Sequence, residues 1–402
     1  MRCFLKYLLL AGPAALLASC AATTQLTRLD GSHIKPETLT QRIQQIADSA
    51  HVHGLAVAVF SHRKTVYKHA FGVKSTATKE ALQLDTEIYG ASLSKAVFAV
   101  LVMKLVEEGQ LTLDGPLQHY LPKPIYEYKP LTRWHDNYAD LRTDTLYARI
   151  TARMCLSHTT GFPNWRWDEK DQKLRVNFRP GSRYSYSGEG LVYLQVVLEK
   201  KLGKSLEELM QEKVFLPLGM RTSSYHWLPQ FEANYCFGHD GTGKVLDKDK
   251  DNEPRSASTL ETTPADYARF LEATLQGKLL RPESWQELFR TQVRIRSVRQ
   301  MGPLARRDTT LHDDIKLGYG LGWGVLQSPY GTDAFKEGHG DGFQHYSIVF
   351  PEQGIGVLLM SNSDNAESAF PELLRLTIAD RFTPVDWENY TSYKHARAAA
   401  KN

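Results

Sequence analysis

Ser92 and Lys95, in the run Tyr89-Gly90-Ala91-Ser92-Leu93-Ser94-Lys95, are the residues whose types and spacing best suit covalent chemistry. A serine hydroxyl is a poor nucleophile at neutral pH unless a group beside it takes its proton. A lysine amine does this when burial and nearby cations depress its pKa. Three positions apart at a helix start, the two side chains share a face within about one turn. The apolar stretch that follows, Ala96-Val97-Phe98-Ala99-Val100-Leu101-Val102-Met103, predicts a helix threaded through a core and stopped near Gly109. The spacing alone is not selective, because it recurs at Ser32-His33-Ile34-Lys35 and Ser61-His62-Arg63-Lys64. The first lies in a polar stretch and the second reads as a surface hairpin turn. Only Ser92 opens a long apolar helix.

Other segments follow in a set order: Glu108-Gly109-Gln110-Leu111-Thr112-Leu113-Asp114-Gly115-Pro116, Leu156-Ser157-His158-Thr159-Thr160-Gly161-Phe162, Pro180-Gly181-Ser182-Arg183-Tyr184-Ser185-Tyr186-Ser187-Gly188, Tyr319-Gly320-Leu321-Gly322-Trp323 and Gly338-His339-Gly340. Over roughly residues 40–380 this arrangement resembles the serine β-lactamase-like family, in the branch holding class C β-lactamases, DD-peptidases and related esterases. The resemblance implies Ser92 as nucleophile, Lys95 as its helical partner, and Tyr186 sharing the acid and base role. It also implies His339 with Gly340 as the Lys-Thr-Gly or His-x-Gly element, and an oxyanion hole made by the backbone N–H groups of Ser92 and a residue near Gly342. A phenol suits this role if a nearby ammonium draws its pKa down. Two departures are expected to shape binding. Gly188 stands where the family has Asn, removing a side-chain amide. His339 stands for Lys, and a histidine carries only fractional charge at pH 7. Both weaken antibiotic hydrolysis more than acyl transfer in general.

The elements that must hold these groups can be read coarsely. Residues 38–48 have helical spacing. Strand candidates are 55–60 and 65–71 near one end, and 345–350 and 354–360 near the other, with a helix over 367–382. The expected fold class is α+β, an antiparallel sheet flanked by helices and built from both chain ends. A mostly helical second lobe over about 105–315 completes it, with the site in the cleft between. Residues 37–385 form the catalytic domain and 386–402 a polar tail. His158 and Trp323 read as structural residues. Trp165-Arg166-Trp167 is either a pocket wall or an exposed loop. Glu189 either tunes Tyr186 or sits as a helix-start carboxylate.

The 402 residues suffice for one large domain or two ordinary ones, and the formal net charge of +4, with no Lys/Arg run, gives no sign of nucleic-acid binding. The stretch 294–307 carries several arginines and reads as a solvated loop. Arg2, Lys6 and the apolar run 7–17 read as a signal peptide over 1–19. Leu17-Ala18-Ser19-Cys20 resembles a bacterial lipobox, which implies lipidation of Cys20, a tether over 20–36 and membrane attachment by several acyl chains. Ala21 favours the outer membrane, facing the periplasm. Cys155 and Cys236 remain as two thiols or a disulfide. No metal and no cofactor are expected. The predicted activity is a serine hydrolase acting on an ester or amide of a small envelope or xenobiotic substrate. Alternatives are a β-lactamase or DD-peptidase, and a non-catalytic member that binds peptidoglycan or a partner.

Overall fold

In the computed structural model, residues 25–133, 135–250 and 253–394 are described; the signal peptide expected over 1–19 and Cys20 lie outside them. The strands are β1 (Gly54–Ser61), β2 (Lys64–Gly72), β3 (Val293–Arg294), β4 (Gly318–Tyr319), β5 (Gly324–Ser328), β6 (Gly331–Gly340), β7 (Phe343–Phe350) and β8 (Ile355–Ser361). They form one eight-stranded antiparallel sheet in the order β2-β1-β8-β7-β6-β5-β4-β3. The two chain ends meet inside it, one strand in from the β2 edge, where Val57 of β1 pairs with Leu359 of β8.

The unbroken apolar character of β1 has a physical cause: all eight of its residues are buried, because both faces of the sheet are covered. Leu55, Val57 and Val59 pack with Leu39 and Ile43 of helix α1 (Pro36–Ser49), and with Leu373 and Leu374 near the C-terminus. Ala56, Ala58 and Phe60 join the core that holds helix α2 (Ser94–Glu107). That helix is apolar on every side, as a helix enclosed by protein must be. The second lobe adds α3 (Gly188–Leu202), whereas residues 110–187 fold mostly as short 3₁₀ turns and loops; α4 (Pro264–Leu275) packs on β1, β2, β7 and β8. At the C-terminal end the expected 367–382 helix forms over Phe370–Ile378, here α5.

Two expectations about the chain's course are corrected. Strand β6 has no counterpart among the sequence-level strand candidates. Its polar residues Asp333, Lys336 and Glu337 hide the strand pattern, yet all three are buried. The expected polar tail also begins later than residue 386. Trp387 is fully buried with its Nε1–H donating to Ser297 Oγ at 3.1 Å, and Tyr390 is buried beside it in the same core. Cys155 and Cys236 are both buried free thiols, so the disulfide alternative falls away.

Candidate active site

The residues before α2 fix where Ser92 sits. Strand segment Ile88–Tyr89 pairs with Glu261–Thr262, and a 3₁₀ turn over Ala91–Leu93 carries the serine into the helix. Gly90 N–H donates to Leu260 O at 2.7 Å. Ser94 Oγ donates to Ala91 O at 2.5 Å and accepts from Leu260 N–H at 3.0 Å. Ala91 is held at φ +47°, a left-handed conformation that a residue with a Cβ adopts at a cost. The clamp to residue 260 over-determines the turn and keeps the strained residue directly before the nucleophile.

Lys95 is 1% exposed. Its Nζ lies 2.8 Å from Ser92 Oγ and donates to Ala257 O at 2.6 Å. Burial, and then the charge of Lys336, hold its pKa well below the ordinary lysine value, with Glu337 opposing. A neutral amine here spends one N–H on Ala257 and keeps its lone pair for the serine proton. Tyr186 completes the group, with Lys95 Nζ 4.8 Å and Lys336 Nζ 5.2 Å from its ring centre. Burial and then the Glu337 carboxylate push the phenol's pKa well up, against a hydrogen bond to Ser92 that lowers it. The expected phenol drawn down by an ammonium is not found: the direction is reversed, because burial and the Glu337 charge outweigh the one lowering influence, the hydrogen bond to Ser92. His158 lies tilted by 31° over Tyr186, at 4.3 Å between ring centres. Its Nδ1 accepts from Ser187 N–H at 3.0 Å and its Nε2 lies 3.2 Å from Tyr319 OH, which makes it a brace for the phenol.

The Lys-Thr-Gly-like element, expected at His339, lies three residues upstream. The ammonium beside Tyr186 belongs to Lys336, fully buried with Nζ 3.4 Å from the phenol oxygen. Lys336-Glu337-Gly338 is therefore the Lys-x-Gly element. A Cβ at Gly338 would come within 2.9 Å of Gly90 O, so glycine lets the strand approach the nucleophile turn. His339 lines the cavity with a largely exposed side chain, its Nδ1 3.0 Å from Glu367 Oε1, and that hydrogen bond raises its pKa. Gly340 packs against Tyr89, where a Cβ would lie 2.7 Å from the ring. The N–H of Gly342, expected near the oxyanion hole, instead donates to Asp364 Oδ1 at 3.0 Å. Gly340 pairs with Phe343 across the two-residue turn and His339 with Gln344 one step on. In an antiparallel ladder closed this way, the alternation leaves the His339 N–H pointing away from β7. On that side β6 has no paired strand beyond Phe335, and the Ala91–Leu93 turn packs there.

On the helical side, Gly188 begins α3, and its N–H donates to Asn164 Oδ1 at 3.1 Å. A Cβ at 188 would lie 2.5 Å from the Trp165 indole, so Trp165 occupies the space an asparagine there would need. Trp165 and Trp167 stack at 4.5 Å and 12°. Glu189 does not itself line the cavity; its carboxylate forms a buried ion pair with Arg166 at 2.7 Å. A cavity of about 370 Å³ joins these parts, lined by Ser92, Lys95, Tyr186, Asn164 and Trp165, and by Gln300, Glu337 and Glu388. Sequence reasoning missed Lys336, Glu337 and the C-terminal contribution from Glu388 to Tyr390. A Lys-x-Gly triplet preceding Gly342-Phe343 was the available signal for the first two. No group of three or more His, Cys, Asp or Glu placed to hold a metal occurs among the described residues.

Comparison with known proteins bears on the family and the fold. The family model described as Beta-lactamase matches residues 39–379. A lovastatin esterase of Penicillium rubens is 26% identical over 69% of this chain and 80% of its own length. The D-alanyl-D-alanine-carboxypeptidase/endopeptidase AmpH of Escherichia coli K12 is 23% identical over 85% of this chain and 88% of its own. Among solved structures, the D-alanine carboxypeptidase AmpC of Burkholderia cenocepacia superposes with a TM-score of 0.64 at 20% identity, covering 84% of this chain and 97% of that one. At that identity the likeness speaks for the fold.

Proposed function

Because the chain belongs to the Beta-lactamase family and is a serine hydrolase of that fold, we propose that Ser92 is its nucleophile and that it cleaves a small ester or amide. Neutral Lys95 takes the Ser92 proton as Oγ bonds to the substrate carbonyl carbon. The carbonyl electron pair moves onto oxygen, held by the N–H groups of Ser92 and His339. As the bond to the leaving group breaks, Tyr186 gives its proton to the departing oxygen or nitrogen and is reprotonated from Lys95. Water then repeats the sequence on the acyl-enzyme, releasing the acid and restoring Ser92. The observation that carries this reading is the 2.8 Å approach of a fully enclosed, pKa-depressed lysine to Ser92.

Ester or peptide-type substrates are favoured over β-lactams. Trp165 displaces the amide-holding side chain at 188, and Glu337 neutralises Lys336 at 2.5 Å, leaving little attraction for a substrate carboxylate. The β-lactamase or DD-peptidase reading keeps one specific support, the Lys336-Glu337-Gly338 element itself. The non-catalytic reading has none, since the proton-transfer group is complete. Turnover of a p-nitrophenyl ester beside a chromogenic cephalosporin tests the ranking. Ester hydrolysis that disappears in Ser92→Ala, with a silent cephalosporin, is the expected result. Fast cephalosporin turnover would reverse the order.

The proposal includes an envelope location, with cleavage before Cys20 and lipidation of its thiol and amino group. Cys20→Ser is expected to move the protein from the membrane to the soluble fraction; unchanged fractionation would refute the anchor.

A further inference from the structure

Resting on Ser92 as the acylating residue, we propose that the cavity beside it selects substrates that carry a protonated amine. Three carboxyl side chains, Glu337, Glu367 and Glu388, line the same cavity as Ser92. Among its described lining residues there is no arginine, and Lys95 is the only lysine. Lys336, the cation next to the site, is already ion-paired with Glu337, and His339 is hydrogen-bonded to Glu367. Glu388 has no such partner among the described residues, and burial together with the Glu337 charge pushes its carboxyl pKa well up, so it is the lining group that an incoming cation would help to ionise.

The second observation is an unmet need for donors. Glu337 is 6% exposed; its Oε1 accepts from Lys336 Nζ at 2.5 Å and Gln300 Nε2 at 2.9 Å, while its Oε2 is buried without a hydrogen-bond donor. Glu388 Oε1 is likewise buried without a donor. Buried acceptors in native proteins are nearly always satisfied, so two orphans lining one cavity call for a donor from outside the chain. An alkylammonium brings three N–H donors and the matching charge. A substrate carboxylate brings neither and would face like charge. The inferred class is thus an ester or amide with an aliphatic ammonium in its acyl or leaving part, as in aminoacyl derivatives or amino-alcohol esters.

Two matched series of aryl and alkyl esters test this, with methyl, ammonium or carboxylate ends placed first on the acyl side and then on the leaving side. In one series, kcat/KM for the ammonium member is expected to exceed that of the carboxylate member by about tenfold or more. Glu388→Gln and Glu337→Gln are expected to shrink that ratio, which is read within each variant and so does not depend on overall activity. A flat ranking or a carboxylate preference in both series overturns the inference, and so does a ratio that survives both substitutions. Should either variant fail to fold, the wild-type ranking still decides. The methyl-ended esters separate the two levels: if they show no Ser92-dependent turnover, the nucleophile reading fails. If they turn over but charge has no effect, only the amine selectivity fails.

Discussion

At the scale of single residues, the site depends on keeping a lysine neutral. Lys95 is depressed by burial and by Lys336, and raised by Glu337, so each neighbour makes a signed prediction. The active base is the unprotonated amine, and the acid limb of kcat/KM therefore follows Lys95. Lys336→Met removes a like charge and is expected to move that limb to higher pH. Glu337→Gln removes the opposing carboxylate and is expected to move it to lower pH. Shifts in the same direction for both variants would show that another group governs the limb. The same depression has a stability sign. Below the usual lysine value near 10.4 the unfolded chain binds a proton that the folded chain refuses, so stability falls as pH drops toward the folded pKa and levels off beneath it. Each unit of depression costs the fold about 1.4 kcal/mol. Lys95→Met is thus expected to raise Tm at neutral pH while lowering ester turnover by a factor of about 10³ or more, measured by thermal melts beside kinetics.

At the scale of elements, the start of α3 and the loop before it form one unit. Gly188 is required because the Trp165 ring lies where its side chain would go. Gly188→Asn, which would return the residue usual in similar enzymes, is expected to cost about 1–3 kcal/mol through overpacking. Adding Trp165→Ala should recover part of the loss. A melt showing Gly188→Asn to be neutral would mean the indole moves aside freely. The turn over Ala91–Leu93 stores a smaller strain. Ala91→Gly removes the penalty of φ +47° but adds backbone freedom beside the nucleophile, so kcat is expected to fall while Tm holds or rises slightly.

At the scale of the whole molecule, the sheet is closed by pairing β1 with β8, and the site uses parts supplied between residues 89 and 390. Ending the chain at residue 385 would strip Trp387 and Tyr390 from a core and Glu388 from the cavity. That truncation is expected to lower Tm sharply, by an amount typical of losing two buried aromatic side chains, about 3–5 kcal/mol each. Among the described residues no disulfide ties the fold, since Cys155 and Cys236 are free and buried. Dithiothreitol is accordingly expected to leave Tm unchanged, where loss of a disulfide would remove about 2–5 kcal/mol.

The sequence by itself determined the local chemistry: a Ser-x-x-Lys pair can be read because both residues lie within one turn of one apolar helix. It also determined the two strands that join the chain ends, because burial on both faces writes an unbroken apolar run into Gly54–Ser61 and Ile355–Ser361. Only the tertiary structure decided which glycine-containing triplet stands beside Tyr186. Gly338-His339-Gly340 looked the part, yet the strand register brings Lys336 there instead, and register is a property of pairing between strands that local pattern does not encode. Tertiary structure also decided the sign of the Tyr186 shift, since desolvation is summed over everything packed around a group. It decided as well that residues past 386 belong to the site: Trp387 is buried by partners such as Ser297, ninety residues away, and no pattern within the last segment announces them.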